Sequence, residues 1–350
     1  MTQTSLYSRV LVKIGAERGE LLSEAKIKAL TENKDLQEFA AQLRGSRYQE
    51  QIGKLSLPLT SSKIENALYE NLIEIYFKII KNSPEEARKF LDLYLMNLEV
   101  ENIKALMKAT CAKLTVEEKT ARIYHSVEKY FNNLDIIEEA LKASSVEQVA
   151  NILKETAYGS ALKEGLDYYE QTGSTKFFDV FLDKLYYEEL HTRYEELPKI
   201  EKPHAEFYAR MESESFLLLT ILRGKLLGYD VNWLRTAIPN VNFELSMDIV
   251  DEIVSAGDFE SAFKIVLQTP YGVFFIRLQS TEETLAAAEK AFKKAILKHA
   301  KANIITEMFN IERPLGFLTQ KKLEVQNLTT ASLGVEAAMK PEDIQQQMLF

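Results

Sequence analysis

Apolar residues along this chain recur at spacings of three and four. Ile64, Ala67, Leu68, Leu72, Ile75 and Ile79 trace one stripe, the period of an amphipathic helix. Helix starts are also legible. Thr115-x-x-Glu118 and Ser280-x-x-Glu283 have the capping-box pattern. Ser83-Pro84-Glu85-Glu86 reads as a capping serine, a proline at the first turn and a closing glutamate. The best strand-like run, Gly272-Val273-Phe274-Phe275-Ile276, is short. Leu197 to Pro203 and Ala237 to Asn242 hold prolines or turn residues and are expected to be loops. The pattern predicts an all-α protein.

Laying the chain on itself exposes a repeat. Leu36 to Ile52, Val146 to Leu162 and Phe259 to Phe275 align, with apolar matches at Leu36/Val146/Phe259, Ala40/Ala150/Phe263 and Leu43/Leu153/Val266. Any amphipathic helix could supply those matches. Ser46/Thr156/Thr269, followed two residues later by Tyr48/Tyr158/Tyr271, is less generic. A Ser or Thr there can cap the next helix, with Pro270 suited to its first turn. A second block aligns Glu99-Val100-Glu101-Asn102-Ile103 with Glu324-Val325-Gln326-Asn327-Leu328, and less well with Glu212-Ser213-Glu214-Ser215-Phe216. The tyrosine lies 51, 54 and 53 residues before this glutamate, and the tyrosines themselves are 110 and 113 residues apart. Units of this size exclude the short solenoids, whose repeats run about 20–50 residues. The expectation is three similar helical domains, 1–120, 121–240 and 241–350, in a pseudo-threefold arrangement that forms a funnel.

Composition narrows the function. The chain has 350 residues, 46% hydrophobic and 27% charged, enough for two or three domains with real cores. A formal charge of −9 disfavours a nucleic-acid partner, which calls for clustered Lys and Arg. The longest strongly apolar run, Phe216 to Leu222, is stopped by Arg223, far short of the ~20 residues that span a bilayer, so no direct membrane insertion is expected. The first residues lack a basic-then-apolar pattern, so no secretion signal is expected. Cys111, the single cysteine, sits in an apolar-periodic stretch and reads as a buried structural thiol.

Catalytic signatures are missing. No phosphate-cradling glycine motif occurs. His125, His191, His204 and His299 are scattered, and none has metal-ligand spacing. The sequence therefore offers no catalytic residue, no metal site and no cofactor site, and the protein reads as non-catalytic. Among polar positions the repeated Glu99, Glu212 and Glu324 are the candidates for partner binding. They are either packing anchors repeated with the domain or groups turned to a central hollow, where a partner meets them three times. Arg223 and Lys225, at the end of the apolar run, join them as candidates, although cations beside terminal helix carbonyls are common.

Leu43-Arg44-Gly45-Ser46-Arg47-Tyr48, Leu153-Lys154-Glu155-Thr156-Ala157-Tyr158, the Glu-x-x-Asn-apolar segments at Glu99 and Glu324, and the apolar helix ending in Arg223-Gly224-Lys225 make the chain similar to a known family. It resembles the C subunits of the archaeal and bacterial A/V-type rotary ATPases, relatives of the eukaryotic d subunit. Ser215 in place of Asn, and Leu267 in place of a basic residue, depart from that pattern. The resemblance implies a rotor component on the cytoplasmic face of the membrane, seated on the proteolipid ring and receiving the central-stalk subunits. The competing readings are a helical scaffold that binds a peptide or helix in a concave surface and, third, an enzyme.

Overall fold

The computed structural model describes residues 3–306 and 309–350. Helices account for 74% of the chain, with no strand among the described residues. The all-α expectation is met. By compactness the chain divides into two units.

The first unit comprises Met1–Leu98, Tyr124–Tyr130 and Leu297–Phe350, so it joins the two ends of the chain. Its centre is the pairing of helix Ser61–Asn82 with helix Glu312–Glu336, against both of which Gln3–Gly19 packs. The stripe read from sequence is the buried face: Ile64, Leu68, Leu72, Ile75 and Ile79 are nearly inaccessible. Truncating such a leucine to alanine typically costs about 2–5 kcal/mol. Glu312–Glu336 is buried on nearly every side, so its polar Lys321, Glu324, Asn327 and Ser332 are buried too. Side chains of that kind need internal partners, because water cannot reach them.

The second unit comprises Glu99–Ile123 and Phe131–Ile296. Helices Gly159–Thr172 and Lys176–Glu196 form a hairpin, and Lys202–Leu226 packs against the second of them. Tyr168 stacks on Phe177 and Phe181, and Trp233 stacks on Tyr229 at 4.1 Å. The expected loops fall at 197–201 and 238–246, between helices.

Both capping boxes form. Thr115 and Glu118 exchange their two bonds, and so do Ser280 and Glu283 at 3.3 and 3.1 Å. Two local expectations, at Ser83 and Cys111, are corrected. Ser83 closes the preceding helix by donating to the Ile79 carbonyl at 2.9 Å, which leaves Pro84 as an N-cap with no side-chain bond. The Gly272–Ile276 run is no strand: Thr269 caps, and Pro270 opens, a 3-10 turn over Pro270–Phe274. Cys111 is exposed. It follows exposed Lys108 by three residues and shares its face, whereas Leu106, Met107 and Thr110 occupy the buried one. No helix among the described residues is long and apolar enough to cross a membrane.

Candidate functional site

One local structure occurs three times, and the repeated tyrosine is its centre. In each copy a short helix begins at a capped residue: Asp35 for Leu36–Leu43, Ser145 for Val146–Ile152 and Asp258 for Phe259–Val266. After each helix the repeated hydroxyl bridges the turn. Ser46 Oγ, Thr156 Oγ1 and Thr269 Oγ1 donate to the Leu43, Leu153 and Val266 carbonyls at 2.6, 2.6 and 2.7 Å. The same oxygens accept the amide N–H of Tyr48, Tyr158 and Tyr271, each at 3.3 Å. A hydroxyl that both donates and accepts in this way fixes the next two residues without a helix. It drives the tyrosine inward to 0%, 3% and 1% exposure. The turn is so tight that a Cβ at Gly159 or Gly272 would lie 2.0 or 2.3 Å from a carbonyl oxygen. The first copy carries Gln49 at that position.

Each buried phenol donates to a buried glutamate. Tyr158 Oη meets Glu99 Oε2 at 2.5 Å, Tyr48 Oη meets Glu324 Oε1 at 2.5 Å, and Tyr271 Oη donates to Glu214 Oε2. The other carboxylate oxygen is tied down separately. Asn133 Nδ2 reaches Glu99 Oε1 at 2.5 Å. The Leu22 amide reaches Glu324 Oε2 at 2.6 Å. The Leu245 and Glu244 amides reach Glu214 Oε1 at 2.8 and 2.9 Å. Leu22 and Leu245 directly precede the caps Ser23 and Ser246, and Asn133 is itself the residue before helix Leu134–Leu141. Every glutamate therefore fastens a tyrosine turn with one oxygen and the lead-in of a short helix with the other.

Burial pushes the Glu99 carboxyl up, and the bonds from Tyr158 and Asn133 oppose it. Glu214 behaves likewise, against bonds from Tyr271 and two amides. Tyr48 and Tyr271 are pushed well up by burial and by the carboxylate each one faces, which keeps them neutral donors. The first-copy site adds Lys321, 2.8 Å from both Glu324 Oε1 and Tyr48 Oη and 4.2 Å from the centre of the Tyr48 ring. Burial pulls its ammonium pKa down, and Glu324 holds it up. A satisfied carboxylate facing a phenol of raised pKa is a structural tie with little acid–base capacity.

The structure thus places Glu99 and Glu324 inside their units, 3% and 5% exposed. In the middle copy the carboxylate that meets the tyrosine is Glu214, two residues past the Glu212 selected by register. Glu212 is half-buried, and its charge helps burial push the Tyr187 phenol up. Arg223 is exposed and pairs with Glu289 at 2.6 Å. Lys225 is half-buried and donates to the carbonyl of Ala256, the C-cap of helix Met247–Ser255, so one of the two cations sits against a helix end. Among the described residues no group of three or more His, Cys, Asp or Glu could hold a metal ion.

The sequence matches the model of the ATP synthase (C/AC39) subunit family over residues 10–347. Similar proteins include the A-type ATP synthase C subunit of Methanocaldococcus jannaschii, 28% identical over 98% of this chain and 86% of its own length. The Thermococcus kodakarensis protein of that name is 23% identical, covering 97% of this chain and 89% of itself. That of Methanothermobacter thermautotrophicus is 26% identical, covering 96% and 86%.

Proposed function

The chain belongs to the ATP synthase (C/AC39) subunit family, and from that premise we propose that it is the socket coupling the central stalk to the membrane proteolipid ring. As a member of that family it is structural and not the catalytic part of its complex. The observation that carries the socket reading is the order of the three tyrosine–glutamate bonds. Tyr158, in 121–240, bonds to Glu99, in 1–120; Tyr271, in 241–350, bonds to Glu214, in 121–240. Tyr48, in 1–120, bonds to Glu324, in 241–350. Each segment gives its tyrosine to the preceding one, and the last closes on the first. A closed cyclic order of equivalent contacts supports three similar helical domains set as a ring, a funnel with a hollow for the tip of the stalk.

Magnitudes favour such a closed wall. One elementary charge crossing ~150 mV delivers about 3.5 kcal/mol. An exposed ion pair holds about 0.2–1 kcal/mol. Torque therefore needs broad contact, more than ~1,200 Å² of buried area, and walls that do not yield. Buried, doubly fastened carboxylates give stiffness where a rim charge does not. In this reading the protein is peripheral, on the cytoplasmic face, and moves with ring and stalk. Arg223, Lys225 and Glu212 contribute to the partner surface directly, and Glu99 and Glu324 contribute by holding the wall behind it.

Affinity purification from native membranes tests the proposal. The tagged chain should bring down stalk subunits and the proteolipid ring together, and Arg223→Glu should reduce their yield several-fold with folding unchanged. Recovery of the chain with neither partner would remove the socket.

A further inference from the structure

We propose that the Tyr48–Glu324 joint is a seam, built to part while the rest of the chain stays folded, and that the segment Lys340–Phe350 is the latch holding it shut. The inference concerns the first unit alone. Its consequence for a socket, a wall that opens at one place, rests on the socket reading.

The three tyrosine–glutamate joints share a plan up to a point. Fourteen residues past each bonded glutamate, at Lys113, Gly228 and Ala338, the backbone turns left-handed, with φ of 55°, 77° and 51°. A short helix follows each time: Val116–Thr120, Val231–Ala237 and Pro341–Gln347. In the first two cases the chain then runs on into the lead-in that the same glutamate fastens. Asn133 lies 34 residues after Glu99, and Leu245 lies 31 after Glu214. Glu324 instead fastens Leu22, 302 residues away. A short covalent tether keeps two parts close when a contact between them breaks, and a long one does not. Two joints have that tether, and the third is closed by contact alone.

The contact is the segment Lys340–Phe350. Asn327 pairs with Leu349 in both directions, donating from Nδ2 to its carbonyl at 2.7 Å and accepting its amide at Oδ1 at 2.9 Å. Gln345 Nε2 donates to Thr31 Oγ1 at 2.9 Å, and Lys28 Nζ lies 5.0 Å from the centre of the Phe350 ring. Ile344 lies against Gly334, where a Cβ would meet it at 2.5 Å. The segment thus ties helix Glu312–Glu336 to helix Glu24–Leu30, next to the Leu22 amide that Glu324 accepts. The fastening is incomplete. A cavity of about 100 Å³ remains beside it, lined by Leu22, Ile27, Leu323, Glu324, Leu349 and Phe350 among others. Leu349, Phe350 and Leu22 are half-buried, whereas Leu245, the counterpart of Leu22, is 1% exposed. Few fixings, partly reached by water and set over an unfilled gap, are the physical marks of a segment that opens locally.

Amide hydrogen exchange on the purified full chain, read at Leu22 and Leu245, tests the seam. After correction for intrinsic rates, Leu22 should exchange at least tenfold faster than Leu245. Its rate should hardly depend on urea below the unfolding transition, because parting the seam exposes little surface. Asn327→Leu, and separately removal of Met348–Phe350, should each speed Leu22 at least a further tenfold and leave Leu245 unchanged. Gln347→Ala, exposed on the same segment, should change neither. Equal protection at the two amides, a Leu22 rate that climbs with urea as that of Leu245 does, or latch variants that speed both amides alike or neither would overturn the proposal. The chain is measured by itself, so such a result removes the seam and leaves the socket to be judged by co-purification.

Discussion

Replacing Tyr158 with Phe removes one hydroxyl and little volume, so it isolates the bond to Glu99. That carboxylate is 3% exposed and accepts from Tyr158 and Asn133, both at 2.5 Å. Losing a hydrogen bond to a charged group, with the acceptor left buried, costs about 1.5–3 kcal/mol. The chain supplies its own control in Tyr130, whose hydroxyl donates to Asp92 at 2.6 Å while the residue is 38% exposed. Water replaces that donor, so Tyr130→Phe should cost under ~0.5 kcal/mol. Urea unfolding of the two variants and the parent would give both values. A double-mutant cycle with Glu99→Gln should return a coupling of about 1 kcal/mol or more, because the groups touch. The pH dependence adds a second check. Burial holds the folded Glu99 pKa above its ordinary 4.5, and Tyr158 is one of the bonds lowering it. Without Tyr158 it rises further. Between 4.5 and the folded value the folded chain binds more protons than the unfolded one, so stability falls as pH rises through that window. The Tyr158→Phe deficit should therefore be full at neutral pH and shrink on acidification towards 4.5. Equal costs for Tyr158→Phe and Tyr130→Phe would refute the reasoning.

Lys321→Met should destabilise the first unit by about 3 kcal/mol, because removing one partner strands the buried Glu324 charge, as urea unfolding would register. Asp183, pushed up to about 6 by burial despite Lys104, should show a carboxyl NMR titration centred there, absent after Asp183→Asn. Its raised pKa makes its charge a cost above about 6 that is relieved on acidification, so Asp183→Asn should flatten stability across that interval. Gly159→Ala and Gly272→Ala should each cost about 1–3 kcal/mol or more through overpacking against a carbonyl, measured as a fall in Tm.

Local chemistry is the most legible part of this chain. Thr115 and Ser280 announce capping boxes because both partners lie within one turn. The Ser/Thr-x-Tyr fingerprint is visible because its hydroxyl bonds three residues back and two forward, all within one short stretch of sequence. What the tyrosine meets is not visible, since Tyr48 and Glu324 are 276 residues apart. The middle glutamate is misplaced for a related reason. Distances counted from a tyrosine forward to the glutamate of its own copy favour Glu212. Counting from a glutamate to the tyrosine of the next copy does no better: Glu212 keeps the 59-residue spacing of Glu99, whereas the bonded Glu214 stands at 57, so spacing alone does not select it. Cys111 is a different case: an apolar-periodic stretch does not say which face its last residue takes. Gly272–Ile276 is hydrophobic enough for a strand, but Thr269 and Pro270 have already committed the backbone to a helical turn.

The central claim is mechanical coupling by a chain with no chemistry of its own, and it is tested most directly by assembling the ATP synthase with and without this protein. ATP hydrolysis by the soluble head and ATP-driven ion uptake into vesicles would be measured side by side. The account predicts that hydrolysis survives without the chain and ion uptake falls to background, with uptake restored on adding it back. Ion uptake that persisted in its absence would contradict it.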